Sequence, residues 1–485
     1  MEKGEKLIDS YALNVNDIVV DVSIVQKEDE AVSFYDISIT NISDTTKIIL
    51  EKIRDEFVGE ETKATSEETD IADVQEQFKE SILRLLAKYF PNADRKTMDM
   101  LINYILQQNI GLGNIDILLK DINLEEIVVN NAREPVWVYH RKHGWLKTNI
   151  FLPSESRIRH YSTIIGRDVG KEITLLNPLM DAHLKTGDRV NATLSPISSK
   201  GNTLTIRKFA VRPWTITDFL REKTISYEGA ALVWIAVQNE LSIIVAGGTA
   251  SGKTSMLNAV SNFFPPNQRI ISIEDTREIV LPKLLHWVPL ETRLANPEGK
   301  GGIEMLDLIV NSLRMRPDRI IVGEIRRKKE AEVLFEAMHT GHSVYGTLHA
   351  NNARETINRL TTPPIDLPRQ ILSGLSLILV QNINRRNGKR RTLQIAEVLH
   401  DGNSKVLMQL NPLKDELEFV AEPSTIIETL NLYTGLSKTE VFSEMQSKIA
   451  ILKWMVSKNL NDINRIGLLM SKYYQNKPVM NIKGV

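Results

Sequence analysis

An α/β class with a parallel sheet at its centre is what this 485-residue sequence predicts, on three observations. Between residues 228 and 349, apolar runs of strand length ("LSIIVAG", "RIISIED", "RIIVGEI", "SVYGTLH") alternate with helical periodicities, the order of parallel strands joined by crossover helices. The first run ends in "GGTASGKT", residues 247–254, and passes straight into the helical "TSMLNAVSNFF". The next two runs end in carboxylates, Glu274 with Asp275 and then Glu324.

Length and composition bound the answer. A chain this long exceeds one compact core and predicts several domains. With 42% hydrophobic and 25% charged residues it reads as globular, and no apolar run approaches the roughly 18 residues of a membrane helix. The richest stretch, "ALVWIAVQNELSIIVAGG", is interrupted by Gln238, Asn239 and Glu240. No basic-then-apolar leader with a cleavage site opens the sequence, so the expected location is cytoplasmic, with membrane contact made through a partner. Cysteine is absent, which excludes disulfides and thiolate metal sites. Residues 1–75 carry 19 acidic against 7 basic side chains, a net −12 in a chain of −1, so the rest is +11. That asymmetry suggests separate modules; the positive excess is thinly spread, and no specific nucleic acid partner is expected.

Residues 14–57 hold alternating stretches, "DIVVDVSIV" and "VSFYDISIT", that predict strands of a small acidic module. "GEETKATSEETDIAD" has almost nothing to bury and predicts a linker, so the module with its linker spans 1–75. Amphipathic helices follow in "VQEQFKESILRLLAKYF" and "RKTMDMLINYILQQN". The strands "EEIVVN", "PVWVYHR" and "TLTIRKF", with a helix near 154–165, make 76–212 a mixed α/β domain. The alternating core occupies 213–400. It includes two strand-like runs around Asn387-Gly388, a hairpin signal. The basic residues flanking that turn suit either a solvated tip or contact with acidic lipid or protein. Residues 401–485 read as mainly helical, with Val441, Met445, Ile449, Leu452 and Met455 on one face as a packing stripe.

"GGTASGKT" matches G-x-x-x-x-G-K-[ST] in the strand-to-helix setting that the chemistry requires. Gly247, Gly248, Thr249, Ala250, Ser251 and Gly252 turn backbone N–H groups toward phosphates, and Lys253 reaches the β/γ oxygens. The Thr254 hydroxyl can ligate Mg²⁺, and Ser255 completes the first helical turn. The implied ligands are ATP, or GTP, with Mg²⁺. Glu274 and Asp275 fall at the carboxyl end of a strand, beside the ligand crevice of an open α/β sheet, where a carboxylate can orient water or metal-bound water. Helix capping is the alternative for Asp275. At the next strand the position usual for a metal-directed aspartate is Gly323, which passes that role to Glu324. Two strand-end carboxylates at one phosphate loop favour hydrolysis over mere binding. His342 and His349 flank the last short strand; a phosphate-sensing or coupling role and a plain structural role both fit, and a metal site lacks a third ligand.

Four boxes in this order, "GGTASGKT", "IEDTRE", "VGEIR" and "GTLHA", resemble the ring-forming ATPases of type II secretion, type IV pilus and archaellum systems. Upstream, "NPLMDAHLKTGDRVNATLSPISSKGNTLTIRKF" looks like that family's N-terminal domain, so the resemblance spans about 80–400. It implies a RecA-like P-loop NTPase core and a homohexamer acting under a polytopic membrane platform protein, at the inner face of the cell membrane, on pilin-like subunits. It also implies that Arg189 of "GDRVNATL" and Arg207 of "TIRKF" reach toward nucleotide. A guanidinium can neutralise γ-phosphate charge, or either arginine can pair with a carboxylate of its own domain. The lack of cysteine departs from the tetracysteine module usual in bacterial extension and secretion ATPases, and no retraction-motor helical signature is visible. The tail is similar to archaeal filament-assembly ATPases. Ala250 stands where the family often has glycine, at an unspecified position of the loop. Two further readings remain: a DNA-transfer ATPase of the same ring family, and a nucleotide-gated scaffold without turnover.

Overall fold

The structure, a computed structural model, describes residues 5–477 except 16, 44, 47, 51, 54–55, 57–80, 110, 185, 210–211, 294 and 296–298. The linker expected at 59–73 lies outside them. The chain forms two compact units, Met1–Val211 and Arg212–Val485.

In the first unit the strands are β1 (Glu5–Val15), β2 (Ile18–Lys27), β3 (Phe34–Ile39), β4 (Leu124–Val129), β5 (Trp137–His140), β6 (Gly144–Thr148), β7 (Leu179–His183), β8 (Arg189–Thr193) and β9 (Thr203–Arg207). They form one sheet in the order β1-β2-β3-β6-β5-β4-β9-β8-β7, antiparallel throughout except for the short parallel pairing of β3 with β6. Helices α1 (Arg95–Asn109), α2 (Asn114–Lys120) and α3 (Glu155–Asp168) accompany it. Helix α3 starts where Ser154 accepts from the Arg157 N–H, and it buries Ile158, Tyr161 and Ile165.

The described strands of the acidic module expected at 1–75 are therefore not separate from the domain that follows. Val22, Ile24 and Tyr35 share one apolar cluster with Leu124, Ile127, Val138 and Ile206. Fully buried Asp121 ties the parts together, accepting from Tyr11 Oη at 2.5 Å and Tyr35 Oη at 2.6 Å. Net charge marked a boundary that the alternating apolar residues of β2 and β3 override.

The second unit begins with α4 (Ile216–Arg221), opened by a Thr215/Asp218 capping box, and α5 (Tyr227–Gln238). Its sheet contains β10 (Ile243–Gly247), β11 (Arg269–Glu274), β12 (His286–Glu291), β13 (Arg319–Val322), β14 (Ser343–Leu348), β15 (Leu377–Ile383), β16 (Arg390–Val398), β17 (Ser404–Asn411) and β18 (Glu416–Phe419). The order is β12-β11-β13-β14-β10-β15-β16-β17-β18, parallel from β12 through β15 and antiparallel beyond. The connecting helices are α6 (Lys253–Val260), α7 (Met305–Leu313), α8 (Lys328–His339) and α9 (Ala353–Thr361), and the tail supplies α10 (Thr425–Thr434), α11 (Lys438–Ser457) and α12 (Ile463–Tyr474).

Alternation along β10 explains the layering. Ile243 and Val245 join a core with α5, α6, α11 and α12, whereas Ile244 and Ala246 join another with α8 and α9. A strand buried on both faces must read as a continuous apolar run, and β10 does. The stripe Val441, Met445, Ile449, Leu452 and Met455 is buried in the first of these cores. Residues 401–485 hold more helix than strand, and β17 and β18 continue the sheet past 400 before those helices begin.

Candidate active site

All the parallel strands point their carboxyl ends to one edge, and the sequence motifs converge there. After β10 the loop 248–252 turns into α6, whose first residues are Lys253, Thr254 and Ser255. Gly252 caps the helix in the left-handed region at φ +89°. A Cβ on Gly247 would collide with Ser251 Oγ and lie 2.6 Å from the Gln381 carbonyl, so only glycine fits. Ser251 Oγ donates to the Gly248 carbonyl at 2.8 Å, and Lys253 Nζ donates to the same oxygen at 3.0 Å. The ammonium thus bridges the loop that arriving phosphate oxygens would occupy.

Next to β10 lies β14, which delivers His349, and beyond it β13 delivers Glu324. His349 Nε2 sits 3.1 Å from Glu324 Oε1. Burial and then the Lys253 ammonium hold the imidazole below its usual pKa, against the pull of Glu324. That environment favours the neutral imidazole over the cation. Arg326 binds Glu324 Oε2 through Nη2 at 2.7 Å and Nε at 3.0 Å, and its Nη1 binds Asp275 Oδ2 at 2.7 Å. Thr292 Oγ1 donates to Asp275 Oδ1 at 3.2 Å. No described helix begins after Asp275, which removes the capping alternative.

Glu274, 2% exposed, ends β11. Its Oε1 accepts from the N–H groups of Glu278 at 2.9 Å and Ile279 at 3.1 Å, while buried Oε2 has no hydrogen-bond partner among the described residues. Burial raises its pKa to about 7, the two N–H donors only partly opposing it. Gly323 lies against this side chain: a Cβ there would stand 3.4 Å from Glu274 Cγ. An aspartate at 323 would add a like charge beside a carboxyl already short of partners, a physical reason for the glycine.

His342 does not join the site. It precedes β14 at the opposite end of the sheet, roughly 20 Å from His349 at a strand rise of about 3.3 Å per residue. There Nδ1 lies 3.2 Å from the Ala337 carbonyl and 3.3 Å from Thr340 Oγ1, contacts that shape the turn after α8. Arg189 is held within its own unit, its Nε and Nη2 donating to Asp181 at 3.0 and 2.5 Å. Arg207 stands directly across from Arg189 in the β8–β9 register and across from Glu126 on the other side.

Two loop neighbours escaped the sequence reading. Asn351 comes so near that a Cβ on Gly248 would meet its Oδ1 at 3.3 Å. Arg390, in the hairpin expected to be a solvated tip or a contact with acidic lipid or protein, donates from Nε to the Ala250 carbonyl at 3.0 Å. Its neighbour Arg391 is likewise engaged, binding both Asp415 oxygens at 2.8 Å. Register brings Arg390 there: β15 pairs in parallel with β10, Gly247 opposite Gln381, so the chain leaving both strands emerges at the same edge.

Among the described residues no helix is long and apolar enough to cross a membrane, and no cluster of three or more His, Asp or Glu is arranged for a metal. Comparison with known proteins agrees with the motifs. The chain is 35% identical over 385 residues to an uncharacterized protein of Methanocaldococcus jannaschii, covering 77% of this chain and 69% of that one. It is 31% identical over 318 residues to a putative conjugal transfer protein of Mycobacterium tuberculosis, covering 62% and 88%. A solved structure, the Legionella pneumophila ATPase DotB, aligns over 73% of this chain and 92% of its own at 20% identity and a TM-score of 0.45. Residues 176–418 match the model of the type II/IV secretion system protein family, and with the relatives' coverage this establishes that the chain belongs to that family.

Proposed function

We propose that this protein is a Mg²⁺-dependent ATP hydrolase that works as a homohexamer in the cytoplasm, at the inner face of the cell membrane. Its work is assembly of a type IV pilus-like filament, of the archaeal branch, from pilin-like subunits through a membrane platform protein. The observation that carries the hydrolytic part is the pair of strand-end carboxylates, Glu274 and Glu324, on neighbouring strands at the sheet edge from which the phosphate loop also emerges.

In this reading Lys253 exchanges the Gly248 carbonyl for β/γ-phosphate oxygens, and the loop amides replace water around them. Glu274, with a pKa of about 7 and one unpartnered oxygen, takes a proton from the attacking water. His349, against Glu324 and within the field of Lys253, registers whether phosphate is present. Thr254, Glu324 and Asp275 are the oxygen donors that would hold Mg²⁺, which prefers such ligands. When bound, the ion neutralises charge on the β- and γ-phosphates. Arg326 keeps the two carboxylates oriented before that. Arg207 is proposed to approach the nucleotide when its domain closes, and Arg189 to do so after release from Asp181.

Nucleotide binding and turnover separate the roles. Lys253→Ala should abolish ATP binding measured by titration, whereas Glu324→Gln should retain it within a few-fold and lose phosphate release by about a hundredfold or more. Wild-type turnover by Glu324→Gln would remove the carboxylate from the reaction.

A further inference from the structure

Ala250 occupies the left-handed region at φ +61°, in the middle of the phosphate loop. That conformation strains an L-residue and leaves glycine unstrained. The carbonyl of this same residue is the one that Arg390 holds: Nε donates to it at 3.0 Å, and Arg390 Cδ lies 3.4 Å from where a Cβ on Gly252 would stand. The arginine therefore lies along the loop, its stem at Gly252 and its head on the Ala250 carbonyl, and that bond uses a loop carbonyl and no loop N–H. It comes from the first residue of β16, whose partner β15 is anchored beside β10 through the Gly247–Gln381 register. The brace is thus mounted on the same sheet as the loop.

We propose that Arg390 is a positioning residue that holds the phosphate loop in its binding conformation, offsetting the strain of a non-glycine residue at 250. Without the brace, Ala250 relaxes toward negative φ, the competent loop becomes a minor population, and apparent affinity falls by that fraction. With glycine at 250 the strain is gone and the brace matters less.

The inference rests on the nucleotide-binding reading of the loop, and its test is a cycle over the two positions in the full chain. Titration with a fluorescent ATP analogue and Mg²⁺ should show Arg390→Ala weakening binding about five- to tenfold, with kcat within about twofold of wild type. Arg390→Lys, which keeps one donor, should recover part of the loss. In the Ala250→Gly background the same Arg390→Ala change should cost no more than about twofold. Equal losses in both backgrounds, or none in either, would overturn the proposal. Amide hydrogen exchange of residues 248–252 reads the loop without nucleotide. Arg390→Ala should speed exchange there with Ala250 present and not with Gly, and unchanged exchange with Ala250 present would overturn it as well. If wild type failed to bind ATP at all while this exchange pattern held, the functional reading would fail and the brace would stand.

Discussion

Glu274 concentrates the residue-scale argument, because one environment sets both its chemistry and its cost. A carboxyl buried with one unpartnered oxygen and a pKa near 7 is protonated in the folded state at pH values where the unfolded chain has already ionised. Between about 4.5 and 7 the native state therefore binds more protons, so stability falls as pH rises through that window. Glu274→Gln keeps an oxygen for the Glu278 and Ile279 N–H groups and never ionises. It should melt above wild type at pH 8, by up to about 3 kcal/mol, and lose that advantage by pH 4.5. Turnover carries the opposite sign: the wild-type rate should climb as pH passes through about 7, where the carboxylate base appears, and the glutamine variant should be nearly inactive at every pH. A wild-type rate flat from pH 6 to 8 would separate the burial from the catalysis. At this scale the sequence was legible wherever a motif fixes a place, as at Lys253, Glu274 and Glu324, which come together at one end of the sheet. It was silent at Arg390 and Asn351, which reach the loop through strand register and not through neighbouring sequence.

Elements were legible where burial forces a pattern. The continuous apolar runs of β10, β11, β13 and β14 declare a sheet covered on both faces, and the P-loop helix follows from its glycines. His342 shows the limit of proximity in sequence: six residues of β14 carry it to the far end of the sheet from His349. The terminal strands show another limit. Acidic composition argued for an independent module, yet Tyr35 is fully buried in the core of the first unit with its hydroxyl on Asp121. Tyr35→Ala should therefore destabilise that unit by about 3 to 5 kcal/mol, with a lowered melting transition. Tyr35→Phe, which removes only the hydroxyl, should cost about 1 to 2 kcal/mol by leaving Asp121 short of a donor. A Tyr35→Ala protein melting like wild type would restore the independent module.

For the whole molecule, the proposed ring makes demands that a single chain does not. If active sites act in concert in a closed ring of identical subunits, specific activity should rise with protein concentration until the hexamer saturates. An inactive subunit should also poison its neighbours. Mixing Lys253→Ala chains into wild type at increasing fractions should depress turnover more steeply than the fraction of active chains, while a mixture of independent monomers would fall in strict proportion. Arg207 adds a second handle, since a guanidinium that meets the transferring phosphoryl group is worth about 10³ to 10⁵ in rate. Arg207→Ala should fold, bind ATP and lose turnover by at least about a hundredfold. Arg189→Ala should lose less, because part of what that arginine does is bind Asp181 within its own unit. Proportional dilution together with full activity of Arg207→Ala would argue that each chain hydrolyses alone, and the motor would then need another source of coordination.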